Sequence, residues 1–297
     1  MNKHLLSTSA IALGVAMASP AAAQQWNLDW GGFINSHVGI TDVDIDDNAA
    51  KAGGDFDGVD TFQDSEIIFD PNITLDNGMT FGFEVQIEGL NRDDRIDESF
   101  LYIESDTLGR IQLGSENSAG YLLMGSVYTP HPSNMPINTR STSAFIPVTG
   151  STGFRQAGLS SLTEVAGNND INRITYFTPS FNGLTVGVSY AAQDEDEAVG
   201  FGGTDRDEAG NVTDIFDIGV GYQQSFNGVD LALAARWGTG DRNAQPAVAA
   251  VPATPGDPGS AAIAAAPSGD PTTWAVGATV GVAGWNLGAT YAENDDD

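Results

Sequence analysis

The sequence predicts an all-β fold, an antiparallel transmembrane β-barrel, on three observations: an export leader, recurring ten-residue segments of alternating hydrophobicity, and connections that run short and long in turn. The leader comes first. Lys3 precedes an apolar stretch from Leu5 to Ala18, and Ala21, Ala22 and Ala23 stand ahead of Gln24. This is the layout of a secretory signal peptide, and it separates residues 1–23 from a mature domain over 24–297. A buried core helix has the same apolar stretch, but not a lysine start joined to a small-residue cleavage site.

The segments share one pattern. Phe81, Phe83, Val85 and Ile87 face one way, against Thr80, Gly82, Glu84, Gln86 and Glu88. Leu184, Val186, Val188 and Tyr190 alternate with Thr185, Gly187 and Ser189; Phe216, Ile218, Val220 and Tyr222 alternate with Asp217, Gly219, Gly221 and Gln223. Val229 to Trp237 and Trp274 to Gly281 repeat the alternation. One face is apolar and the other is small, polar or charged, as in a strand between lipid and water.

The connections hold the second period. Asp76-Asn77-Gly78, Asp106 to Gly109, Asn182-Gly183, Asn227-Gly228 and Val282 to Gly284 are tight turns. Thr41 to Asp60, Gly114 to Asp170, Ala191 to Val212 and Gly238 to Thr272 are long. Outer-membrane barrels pair short periplasmic turns with long external loops. A soluble β-sandwich also alternates its faces and uses Asn-Gly hairpins, and it is the main structural alternative, but loops of random length do not keep this parity.

Composition narrows the class. Beyond the leader no run of about 18 apolar residues exists to cross a bilayer as a helix, and a closed barrel is the other spanning solution. The chain has no cysteine, so an exported fold of this size rests on a backbone hydrogen-bonded framework. The formal charge of −29, one unit more negative once Lys3 leaves with the leader, disfavours nucleic acid and favours cations. From Trp26 the segments count about eleven strands. An antiparallel bacterial barrel closes on an even number, so the sequence reads as C-terminally incomplete.

Several passages resemble the general diffusion porins of Gram-negative outer membranes, in particular the alphaproteobacterial branch. Asn172 to Tyr190 carries an Arg-Ile-x-Tyr strand, a Pro-x-Phe pair at Pro179 and Phe181, the Asn182-Gly183 turn and a Gly-x-Ser-Tyr ending. Phe100 to Gly114 resembles the hairpin that delivers the chain into the third external loop of that family. The resemblance implies a barrel of about sixteen strands, usually a homotrimer, with an inward loop at about 115–170 that narrows the pore. It departs from the family in lacking a final strand with a terminal aromatic residue. Outer-membrane lipid and lipopolysaccharide, further copies of the chain, and small hydrophilic solutes and ions are the partners it implies, in the cell outer membrane.

Passive diffusion needs no catalytic group; it needs a lumen and a charge arrangement at its narrowest point. By alternation Glu84, Gln86 and Glu88 point inward, as do Asp217, Asp230 and Arg236. In related porins acidic loop residues oppose basic wall residues, and here Glu116 and Glu164 are the loop candidates, with Arg173, Arg92 and Arg95 the basic ones. Each of these charges has an alternative as a solvated rim residue.

No cofactor is expected. Asp42 to Asp47 begins like a calcium loop, but Asp47 occupies the glycine position and Gly53 the bidentate glutamate position, which rejects an EF-hand. Irregular structural calcium among Asp55, Asp57, Asp60 and Asp64 competes with simple solvation. Tyr190, Tyr222, Trp237, Trp274, Trp285 and Tyr291 are candidates for interfacial girdles. After the leader only His37 and His131 are histidines, Gly-x-Ser-x-Gly is absent, and an enzyme is not expected. The Ala- and Pro-rich stretch within about 239–272 reads as an external loop unable to build a ladder, or as a linker between domains.

The reading is therefore a water-filled channel for passive diffusion with a cation preference; a substrate-specific outer-membrane channel and a secreted β-sandwich binding protein are the alternatives.

Overall fold

The computed structural model describes residues 25–41, 58–89, 96–128, 170–194, 209–250, 260 and 262–295. The leader, Arg92, Arg95, His131, Glu164, Asp55 and Asp57 lie outside them.

Eleven strands form one antiparallel meander in chain order. They are β1 (Asn27–Thr41), β2 (Gly58–Thr74), β3 (Thr80–Glu88), β4 (Ile96–Ser105), β5 (Gly109–Glu116), β6 (Ile171–Phe177), β7 (Leu184–Gln193), β8 (Val212–Phe226), β9 (Val229–Arg242), β10 (Thr272–Val282) and β11 (Trp285–Asp295). Among the described residues one helix, α1 (Ala119–Tyr128), follows β5. Among the described residues the sheet is open, with β1 and β11 as its edges.

Every short connection falls on the same end of the sheet because consecutive strands are hairpin partners, and the turns show why they are tight. Asn182 and Gly183 have φ of 50° and 86°, Asn227 and Gly228 of 49° and 85°, and Ala283 and Gly284 of 50° and 83°. Two successive positive φ values make a type I′ turn, whose twist matches that of the flanking strands and which Asn-Gly adopts with least strain. Ala283 departs from that chemistry and occupies the left-handed region without an amide to ease it.

The apolar rows point outward. Phe83, Leu101, Leu113, Ile174, Phe216, Leu233, Trp237 and Val276 all carry substantial exposure. A soluble β-sandwich buries this row between its sheets; here it is the outer surface, which removes the sandwich alternative. The expected aromatics gather toward the two ends of that surface. Tyr190 pairs with Phe216, Phe216 lies 6.4 Å from Trp237, Trp237 pairs with Trp274, and Trp274 lies 5.2 Å from Tyr291. Nearer the short turns, Trp30 stacks on Phe69 at 4.3 Å, and Phe69 meets Phe83 edge-on at 5.9 Å. Tyr222, opposite Leu184 and Leu233, and Trp285, opposite Val282, also lie toward that end. Such amphipathic rings suit the two headgroup levels of a bilayer.

Two expectations are corrected. The Ala- and Pro-rich stretch does build a ladder, though a punctuated one: Arg242 bridges Gly269, Gln245 bridges Ala266, and Val248 bridges Ile263, each pair exchanging two backbone hydrogen bonds. The rungs recur every third residue, and Pro246 and Pro267, which have no N–H, fall between them. It is no linker either, since β9 and β10 on its two sides are sheet neighbours. Glu293 to Asp295 complete β11 opposite Trp274 to Thr272, and the Thr273 hydroxyl donates to Asn294 Oδ1 at 2.6 Å.

Candidate functional site: a helix-lined acidic cavity

The helix α1 is what turns the inner face into a site. Ser118 caps it, accepting from the Tyr121 N–H at 3.2 Å. Its sequence, AGYLLMGSVY, is apolar on most sides because it lies against the inner wall instead of in water. Met124 and Val127 pack with Ala234 and Ala275 into a small core.

Glycines shape the seat. A Cβ at Gly219 would stand 2.8 Å from Gly120 Cα and 3.1 Å from the Ala119 carbonyl oxygen. One at Gly277 would stand 2.5 Å from Val127 Cγ2, and one at Gly187 3.0 Å from Ala119 Cβ. Strand positions that elsewhere carry side chains are here reduced to backbone so that a helix can lie against them. Gly219→Val is therefore expected to push α1 off the wall, because the contacted atoms are helix backbone and cannot rotate away. The checking measurement is single-channel conductance, with a clear fall expected as α1 moves into the lumen; wild-type conductance would contradict the seat.

A buried ion pair locks the N-terminal end of α1. Arg236 Nη2 donates to Asp217 Oδ2 at 2.5 Å, while the Gly120 N–H donates to Asp217 Oδ1 at 2.6 Å. The Ala119 N–H donates to Ser189 Oγ at 3.2 Å, and Arg236 Nη2 also reaches Ser118 Oγ at 3.4 Å. Asp217 is 1% and Arg236 4% exposed. The carboxylate thus answers both a guanidinium and the positive end of a helix. Alternation placed Asp217 and Arg236 correctly on the inner face, but they are anchors beneath α1, not charges bathed by the lumen. Asp230, on the same face, sits near the Asn227-Gly228 turn and accepts from the Ser225 hydroxyl at 2.5 Å.

Beside the helix lies a cavity of about 770 Å³. Its lining carries Glu66, Glu84, Asp97, Glu98, Glu116 and Asp170, with Arg110 as the guanidinium among the described lining residues, and Gln86, Gln112, Asn117 and Tyr121 beside them. Glu84 accepts from Gln86 Nε2 at 2.6 Å. Arg110 is held by Glu104 at 3.1 Å and lies over the Tyr102 ring, 4.0 Å from its centroid. Tyr102 in turn donates to Asp70 Oδ1 at 2.7 Å. Asn117 joins two acids: its Nδ2 donates to Glu98 Oε1 at 2.6 Å and approaches Glu116 Oε1 at 3.5 Å.

Of the sequence candidates, Glu84 and Glu116 line this cavity. Glu88 stands opposite the lining residue Glu66 across the β2–β3 ladder, without lining the cavity itself. Arg173 is on β6 opposite Gly114, 4% exposed and not among the lining residues. Arg92, Arg95 and Glu164 lie outside the described residues. The sequence reading missed Glu98, Asp97, Asp170, Gln112 and Asn117. The signal for Gln112 was present: Ile111 and Leu113 face out, which turns Gln112, and Arg110 with it, inward.

An antiparallel meander with an apolar exterior, a polar, glycine-seated interior and a helix folded onto that interior has the pattern of the wall of a membrane-spanning β-barrel. The chain belongs to the Gram-negative porin family, whose model matches residues 7–297. It is accordingly an outer-membrane protein and not an enzyme. Two similar sequences are a monosaccharide porin of Halomonas sp. and a major outer membrane protein of Halomonas elongata, each 29% identical over 250 residues. The match covers 77% of this chain and 63% of either relative's length. Among solved structures, OmpT of Vibrio cholerae is similar at 16% identity with a TM-score of 0.48, over 93% of this chain and 66% of that one. These matches reach the family and not a bacterial branch within it.

Proposed function

We propose that the protein is a porin for passive diffusion of ions and small hydrophilic solutes with a preference for cations, working as a homotrimer embedded in outer-membrane lipid and lipopolysaccharide. The observation that carries this reading is the cavity beside α1, whose described lining sets six carboxyl groups against one guanidinium that is already paired. A water-filled constriction lined by one sign of charge concentrates ions of the other sign and repels its own. Glu84 and Glu116 are the acidic wall residues of this reading, Arg110 is the guanidinium among the described lining residues, and Arg173 stands opposite Gly114, two positions along β5 from Glu116.

The name of one relative favours a second reading, a sugar-admitting channel. Tyr121, Gln86, Gln112 and Asn117 give the cavity hydrogen-bonding groups of the kind sugar hydroxyls use. Liposome swelling separates the two. The diffusion reading expects entry rates of neutral sugars to fall smoothly with size, with an anionic sugar acid entering more slowly than the neutral sugar of equal size. A rate that saturates with one monosaccharide and ignores solute charge would favour the sugar-specific channel.

A further inference from the structure

The acids of the cavity are not evenly spread. Asp97 and Glu98 at the start of β4 and Asp170 at the start of β6 each bring one carboxylate oxygen within 4.8 Å of the others. Ligand oxygens at about 2.3–2.6 Å from a calcium ion lie up to about 5 Å apart across it, so this spacing fits a single hard cation.

A second observation points the same way. Asn117 is 7% exposed, lines the same cavity, and its Oδ1 accepts no hydrogen bond. Its orientation is not arbitrary, because Nδ2 donates to Glu98 Oε1 at 2.6 Å and so fixes which end of the amide is the acceptor. Gln112, 5% exposed on the wall of the same cavity, likewise leaves Oε1 without a donor. Buried carbonyl oxygens are ordinarily satisfied. Buried neutral acceptors without donors stand here beside clustered carboxylates, and side-chain carbonyl and carboxylate oxygens together are the ligand set a calcium-type ion takes.

We propose that Asp97, Glu98 and Asp170, with the Asn117 carbonyl oxygen, form a binding site for a divalent cation at the long-connection end of the pore. Occupied, the site places two positive charges within the acidic cavity and reduces the monovalent cation current through it. The proposal deepens the cation-channel reading and rests on it for that last step alone. It also moves the expected acidic-loop site: Asp60 is on β2, where its Oδ1 accepts the Thr61 N–H at 2.7 Å, and it is not part of this cluster.

The test is isothermal titration of the folded full chain in detergent with calcium chloride, in buffer freed of divalent ions. One saturable site is expected, weakened by about tenfold or more in Asp170→Asn and in Glu98→Gln, each of which removes one ligand charge. Asp230→Asn, an inner-face acid beside the Asn227-Gly228 turn at the opposite end of the strands, is expected to change the affinity less than about twofold, because ionic screening removes its influence at that distance. No saturable binding by wild type up to about 10 mM calcium, roughly tenfold above the weak end of protein calcium sites, overturns the proposal. So does equal weakening in all three variants, which would make the effect diffuse charge. Failure here is separable from failure of the channel reading, since the reversal potential of the wild type in potassium chloride without divalent ions does not depend on whether calcium binds.

Discussion

Asp217→Ala is expected to cost about 3–5 kcal/mol, because it removes the carboxylate that Arg236 meets at 2.5 Å inside the barrel wall. Two effects compound. The guanidinium stays buried with its closest anion gone, and the N-terminal turn of α1 loses the acceptor of the Gly120 N–H. The expected readings are a lower urea midpoint for unfolding from detergent micelles and a lower, noisier single-channel conductance as α1 leaves the wall for the lumen. Asp217→Asn keeps an acceptor for Gly120 and is expected to fall between the two. Unchanged midpoint and conductance in Asp217→Ala would mean that α1 is held by its apolar side and glycine seat alone.

The second large effect concerns charge. Glu84→Lys combined with Glu116→Lys reverses two of the six lining acids, on β3 and β5, the strands to either side of β4. The expected result is a potassium-over-chloride permeability ratio lowered by about tenfold or more, since a lining of one sign raises the local counter-ion concentration by at least that factor. The effect should shrink in concentrated salt, where screening shortens to a few ångströms. A ratio that survives the double reversal would place the selectivity determinant elsewhere along the pore.

Much of this architecture can be read from the sequence because a lipid-facing strand has no freedom in its alternation. Phe81 to Ile87 and Leu184 to Tyr190 declare their faces outright, and Asn182-Gly183 and Asn227-Gly228 declare their turns. Strand β4 does not: Phe100, Leu101, Tyr102 and Ile103 are all apolar in succession, so parity is undefined there, and Glu98 below them was not recognised as inward. Phe100 and Tyr102 turn inward because they shelter Arg110, a cation–π role that hydrophobicity does not announce. The helix was hidden for a related reason. A helix lying on a wall of glycine and alanine needs no polar face of its own, so Leu122, Leu123 and Met124 show no clear period. Gly187, Gly219 and Gly277 were visible as small residues, but their purpose appears only when the helix is on them. Asp97, Glu98 and Asp170 meet through a register spanning the β4–β5 turn and the long β5–β6 connection, which no local pattern encodes.

The claim that joins these observations is that an acidic cavity beside α1 governs what passes. Its most direct test is the zero-current potential of the reconstituted channel across a planar bilayer under a tenfold gradient of potassium chloride (an order-of-magnitude choice, about one decade). Stepwise conductance with a reversal potential displaced toward the potassium equilibrium potential is the predicted result, and displacement toward the chloride potential would contradict it.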